Sequence, residues 1–132
     1  MDDLFTGIYS AYCSDSALSN AATGMYPSVA PNDATFPYIT YHLIGNVPTW
    51  DFGVTTYEQP LIQFSIFSDK INSPSEITQI NSDLVLLYDD ATLVMTDYTH
   101  VMFQRTNTTL QRIDEEEVFM MTTDYQGVIQ KD

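Results

Sequence analysis

The residues most able to do chemistry are acidic. The stretch RIDEEEVF, residues 112 to 119, sets Asp114, Glu115, Glu116 and Glu117 in a row between an arginine and an apolar run. Two carboxylates cleave a glycosidic bond when they face each other about 5 to 10 Å apart, one as acid and one as base or nucleophile. Neighbours in sequence do not meet that condition unless a pocket drives their pKa values apart. Calcium is the second chemistry such oxygens serve, yet no D-x-[DN]-x-[DN]-G loop occurs. His42 and His100 have no second His or Cys at metal-ligand spacing, and Cys13, the sole cysteine, reads as a small packed residue. There is no G-x-S-x-G elbow, no G-x-G-x-x-G and no P-loop. The expectation is therefore no enzyme, no metal and no cofactor, with the acidic run a solvated connection.

The elements around these residues follow from periodicity. Leu4, Phe5, Ile8, Tyr9 and Tyr12 recur at helical spacing, and Asp2 or Asp3 is placed to cap that helix. SDSALSNAATG is a small-residue segment that Gly24 breaks, and PSVAPNDA reads as a loop. TFPYITYHLIGN, residues 35 to 46, has strand composition, with Ile39, Tyr41 and Leu43 on one face. QPLIQFSIFSD puts Ile62, Phe64 and Ile66 on one face of a second strand. SPSEITQINSDLVLLYDD predicts a helix with Ser73 as cap, Pro74 in the first turn and Glu76 completing a capping box. Its stripe is Ile77, Ile80, Leu84, Leu87 and Tyr88, and Asp89 with Asp90 should end it. Strands over Tyr98 to Thr106 and Val118 to Tyr125 complete the chain, with NTTLQRIDEEE between them. The order predicts one α+β domain over residues 1–132: an antiparallel sheet of about four main strands with two main helices packed on one face.

Composition narrows the function classes. The 132 residues are 44% hydrophobic and 17% charged, rich enough in apolar groups to offset chain entropy. The net charge of −14 sets eighteen carboxylates against Lys70, Arg105, Arg112 and Lys131. Nucleic-acid binding draws on cations that displace phosphate counterions, and four scattered basic residues make no such patch. The same charge opposes anionic membranes, no apolar run approaches the roughly 20 residues of a spanning helix, and Met1, Asp2, Asp3 is no basic start of a signal peptide. A product made in the cytoplasm is expected.

The apolar supply is the more informative signal. Nine tyrosines, seven phenylalanines, six methionines and one tryptophan belong to types enriched where proteins meet proteins. A core can absorb many of them. Trp50 and Phe52, beside Asp51, stand instead in NVPTWDFGVTTYE, residues 46 to 58, which breaks any period and reads as a long connection. Aromatics on a loop are better explained by a partner than by a core.

The succession of the N-terminal helix, GMYPSVAPNDATFPYITYHLI, the strand PLIQFSIFSD, the capped helix and two C-terminal strands resembles the tail-completion family, the small tail terminator proteins of long-tailed bacteriophages. VAP followed by FPYITY, and QFSIFSD leading into SPSEITQI, carry the resemblance, which spans nearly the whole chain. It implies a virion protein that forms a ring, usually a hexamer, on top of a finished tail tube. Such a ring stops tube growth, offers the joining surface to the head-completion or adaptor protein of the neck, and lets DNA pass as non-specific cargo. The family has no catalytic residues to carry over. On this reading Trp50, Asp51 and Phe52 contact a neighbouring copy or the tail tube protein, and Asp114 to Glu117 line the channel, where they would repel phosphates within about 8 Å at physiological salt. Rival readings are a head-completion or adaptor ring, a small carboxylate hydrolase, and an acidic module that mimics nucleic acid.

Overall fold

In the computed structural model, described for residues 2–51, 54–70, 73–89, 93 and 98–131, helices and sheet form two layers. Side chains at 2, 3, 49–51, 54–56, 98–101 and 131 fall outside that description. The elements run α1 (Asp2–Ser14), α2 (Ser16–Ala21), β1 (Met25–Pro27), β2 (Tyr38–Asp51), β3 (Val54–Ser68), α3 (Ser75–Tyr88), β4 (Tyr98–Ile113) and β5 (Val118–Lys131). The strands make a five-stranded sheet in the order β1-β2-β3-β5-β4. All neighbours are antiparallel except β1 and β2, which are parallel.

The α+β reading holds, with a mixed sheet of five strands and three helices in place of about four antiparallel strands and two main helices. The extra helix is α2, where Asp15 accepts from the Leu18 amide at 3.3 Å and Leu18 is buried. The extra strand is β1. Its three residues pair with Ile39, Thr40 and Tyr41, so the expected break at Gly24 is a strand entry.

Alternation decides what the sheet buries. Ile62, Phe64 and Ile66 on β3 lie beside Leu43, Tyr41 and Ile39 on β2 and beside Tyr125, Thr123 and Met121 on β5. These side chains face the helices, whose Leu4, Ile8, Tyr12, Leu18, Ile77, Ile80, Leu84 and Tyr88 close one cluster over them. The aromatic supply is spent largely here: Phe64 stacks on Tyr88 at 4.7 Å and Phe103 on Tyr125 at 4.8 Å between ring centroids. Burial, with smaller contributions from Tyr41 and Asp15, pushes the Tyr88 phenol far above its ordinary value, so it stays a neutral donor. It donates to the Ile8 carbonyl at 2.7 Å and ties α3 to α1.

Two local expectations are corrected. Pro74, not Ser73, occupies the cap of α3, in an α conformation and with no side-chain cap hydrogen bond. The Ser73 hydroxyl meets the Ser75 hydroxyl at 2.8 Å. Glu76 turns from its own helix end to accept from the Ser68 hydroxyl at 2.7 Å and to pair with Lys70 at 2.8 Å. A charged partner and a hydroxyl at the end of β3 outcompete a backbone amide that water already satisfies.

The second correction concerns length. Residues 46 to 58 are not a long connection: β2 and β3 pair outward to Asp51 and Val54. Bulges between Leu43 and Gly45 and between Thr49 and Trp50 absorb the broken period. NTTLQRI is likewise strand, since β4 pairs with β5 as far as Ile113.

Candidate functional site

The acidic run and the aromatic segment stand at opposite ends of the sheet. Asp114 to Glu117 form the turn between β4 and β5, beyond the pair Ile113 and Val118, while Ser68 at the end of β3 pairs with Phe119. Trp50 and Asp51 end β2 at the other extreme, opposite Thr55 and Val54; Phe52 lies outside the described residues. The 15 residues of β3 span the interval, which at ~3.3 Å per residue is about 45–50 Å.

All four acids are exposed. Glu117 takes φ 56°, and its amide reaches the Asp114 carbonyl at 3.3 Å, closing the turn. Asp114 meets the Arg112 guanidinium at 2.8 Å in solvent, where an ion pair contributes little. Glu116 lies toward Tyr38: burial, and secondly the charge of Glu116, push that phenol up from its ordinary value. Tyr38 itself stacks on Phe67 and packs at a tilt against Phe36, each at 5.1 Å between ring centroids. Among the described residues, the cavities between α1 and β1, beside Asp89 and beside Tyr38 have at most one acid in their linings. Among the described residues no group of three His, Cys, Asp or Glu side chains is placed to hold a metal ion.

From its mid-strand bulge outward the β2–β3 hairpin carries exposed apolar groups that the sequence pattern does not single out. Ile44 is 47% exposed, Val47 61% and Tyr57 38%. Val47 pairs with Gln59 and Thr49 with Tyr57, so Val47 and Tyr57 are diagonal neighbours on one face. The available signal was charge: from Ile44 to Tyr57 the only ionisable side chains of ordinary charge are those of Asp51. On the helix-facing side the hairpin holds an incomplete polar pair. Asn46 Nδ2 donates to Glu58 Oε1 at 3.3 Å, while the buried Asn46 Oδ1 and Glu58 Oε2 have no partner among the described residues.

Two concave features complete the surface. A groove of about 680 Å³ between α1 and β1 is lined by Phe5, Tyr9, Met25, Tyr26 and Tyr41 together with small polar residues. At the opposite sheet edge Asp89, just past the end of α3, accepts from the Tyr125 hydroxyl at 2.6 Å and faces Arg105 at 3.5 Å. Those donors offset a carboxylate that opposes the helix dipole. His42 lies half-buried on β2, the side chain of His100 falls outside the description, and Cys13, expected as a small packed residue, is instead exposed near the end of α1.

No protein-family model matches the chain, and no curated protein matches its sequence. Among solved structures, a chain of the virion of a native gene transfer agent particle shares the fold at a TM-score of 0.82 and 14% identity, over 98% of this chain and 96% of that one. A second solved chain shares it more distantly, at a TM-score of 0.53 and 8% identity, over 99% and 92%. At these identities the likeness is one of fold.

Proposed function

We propose that this chain is a structural protein of a phage-like virion and acts as a tail terminator: copies close into a ring, a hexamer, on the tail tube, end its growth and present the surface to which the head-completion or adaptor protein joins. The observation that carries this reading is the end-to-end match of fold to a chain of a phage-like virion, covering 98% of one and 96% of the other. The described geometry supports it, because a head-to-tail ring needs two different patches on each subunit and the sheet displays different chemistry at its two ends.

In this reading the hairpin end with Trp50, Asp51 and Phe52 contacts a neighbouring copy or the tail tube protein, and Asp114, Glu115, Glu116 and Glu117 face the channel. DNA passes the acids without binding, since carboxylates repel phosphates over about a Debye length. The test is to mix the purified protein with tail tubes and image the particles. Rings capping tubes of limited length are expected. Protein that ignores tubes but binds DNA-filled heads would replace the terminator by a head-completion or adaptor ring. Trp50→Ala with Phe52→Ala should leave the monomer folded and abolish capping; normal capping would remove the hairpin from the contact. Glu115, Glu116 and Glu117 changed together to lysine should leave rings intact and slow DNA passage, and an unaltered rate would take these acids off the channel wall.

A further inference from the structure

We infer that the outer edge of β4 pairs with the same edge of a second copy of this chain, antiparallel and about a twofold axis at Leu110, so that the two sheets run on as one.

The strand is an open edge. Among the described residues β4 pairs with β5 alone, and alternate residues along its other side turn main-chain N–H and C=O groups outward with no strand to meet them. A strand with one packed face buries every second side chain. Gln104 to Arg112 are instead exposed at nine consecutive positions, so the helices cover neither side of this stretch. Irregularities lie between His100 and Met102 and between Arg105 and Asn107, which leaves Asn107 to Ile113 as a regular run ~23 Å long. No proline interrupts it.

Leu110 sets the register. It pairs with Met121, Met121 with Ile66 and Ile66 with Ile39, so it ends a row whose other members are all buried. Leu110 itself is 43% exposed. A second Leu110 opposite it continues the core row across the join and takes both side chains out of water. A slip of two residues sets Leu110 against Thr108 or Arg112 instead.

Charge selects a second copy and its direction. β4 carries Arg105 and Arg112 and no acid, and the acidic turn Asp114 to Glu117 follows it directly. In the antiparallel pairing about Leu110, Asn107 lies opposite Ile113 of the other copy, and the acidic turn of each copy runs past Arg105 of the other. The edge is thus complementary to itself, and the contact is made twice. A parallel pair would set turn beside turn and arginine beside arginine. The Arg105 side chain is 41% exposed and 3.5 Å from Asp89, which leaves it open to a second carboxylate. A twofold contact closes at two copies, so it is separate from the head-to-tail contacts of a ring. The turn it engages is the one assigned above to the channel, and a copy therefore leaves the pair before it enters a ring.

Sedimentation of the protein alone, without tail tubes, tests the pairing; a monomer–dimer equilibrium is expected. Hydrogen exchange should show about half of the amides from Asn107 to Ile113 gaining protection as the dimer forms. Leu110→Lys should weaken the dimer about tenfold or more and leave melting of the dilute protein unchanged, since the side chain is exposed. Arg105→Glu should weaken it too, and adding Glu115→Lys and Glu116→Lys to that variant should restore it. In a Cys13→Ser background, Leu110→Cys should oxidise to a linked dimer, because opposed residues of antiparallel strands lie ~4.5–5.5 Å apart, within disulfide reach. Gln104→Cys, roughly 40 Å from its counterpart in that register, should not. Protein that stays monomeric at every soluble concentration would overturn the pairing. A dimer that Leu110→Lys does not weaken, or whose amides from Asn107 to Ile113 stay unprotected, would overturn it as well. Each of these failures leaves the ring reading standing, because none involves a tail tube.

Discussion

Replacing Glu58 by glutamine should stabilise the protein. Asn46 Nδ2 already donates to Glu58 Oε1 at 3.3 Å, but the remaining atoms of the pair, Asn46 Oδ1 and Glu58 Oε2, are both buried acceptors without partners among the described residues. An amide of the same shape puts a donor where Oε2 stands and turns two unpaired oxygens into a reciprocal pair. The new hydrogen bond contributes about 0.5–1.5 kcal/mol, and removing an unmet buried acceptor about 1–3 kcal/mol. Against this, the existing bond loses a charged acceptor, a loss of about 1 kcal/mol. The net expectation is ~0.5–3.5 kcal/mol. For 132 residues the unfolding entropy is about 0.28 kcal/mol/K, from ~2.1 cal/mol/K per residue, so Tm should rise by about 2–12 °C. Calorimetry at neutral pH and low protein concentration reads this directly. Glu58→Ala, which leaves both Asn46 groups unmet, should move Tm the other way. A Glu58→Gln protein that melts at or below the wild-type temperature would refute the assignment of the two oxygens as unsatisfied.

Gly127→Val should destabilise by about 1–3 kcal/mol, because a Cβ there would lie 3.2 Å from Phe103 Cδ1 and 3.5 Å from Pro60 Cγ while the Phe103 ring is held against Tyr125; urea unfolding would show it, and an unchanged midpoint would mean the ring can move. For Glu76, burial acts to raise the carboxyl, but hydrogen bonds from Lys70 and Ser68 and the charge of Lys70 outweigh it and leave the pKa below its ordinary value. A lowered folded-state pKa gives stability that is present above the unfolded pKa and lost as pH falls through the folded one. The stability difference between wild type and Glu76→Gln should therefore be full above about pH 5 and fade below about pH 4, and stay small because Lys70 is largely exposed. A difference that grows toward acid would contradict the pairing.

The legible parts of this fold are those whose burial is one-sided. α1 and α3 show their stripes because each rests one face on the sheet, and Ile62, Phe64 and Ile66 alternate cleanly because β3 lies at the centre of it. The outer half of the β2–β3 hairpin was illegible for the opposite reason. One face of it carries exposed Val47 and Tyr57 and the other the buried atoms of the polar pair Asn46 and Glu58, so polarity does not mark which face is buried, and two bulges shift the period where Gly45 and Pro48 already read as breakers. β1 is three residues held by pairing with β2, a contact no local pattern encodes. α2 depends on one Asp15 cap and one buried Leu18 within a run of small residues. The acidic turn was read correctly as solvated, since a row of charges with no apolar interruption has nothing to bury. The groove between α1 and β1 is not legible in the sequence, because Phe5, Tyr9, Met25, Tyr26 and Tyr41 come from three elements.

The distribution of charge ties these features to assembly. Of the eighteen carboxylates, only Asp51, Glu58 and Asp124 lie on the described strands; β4 has none over its 16 residues and carries Arg105 and Arg112. Among the described residues the rest of the negative charge sits on helices, turns and connections, and the sheet is nearly free of it. If association is apolar and opposed by the long-range repulsion of −14 on each copy, salt must strengthen it. Raising ionic strength from about 0.01 M to about 0.15 M shortens the Debye length from about 30 Å to about 8 Å, which removes most repulsion between subunits while leaving apolar contact intact. Sedimentation of the purified protein across that range should show the average mass rising with salt. An assembly held instead by ion pairs, for example Arg105 or Arg112 against the acidic turn of a neighbour, would dissociate over the same range, and that result would make charge, not apolar contact, the source of the attraction.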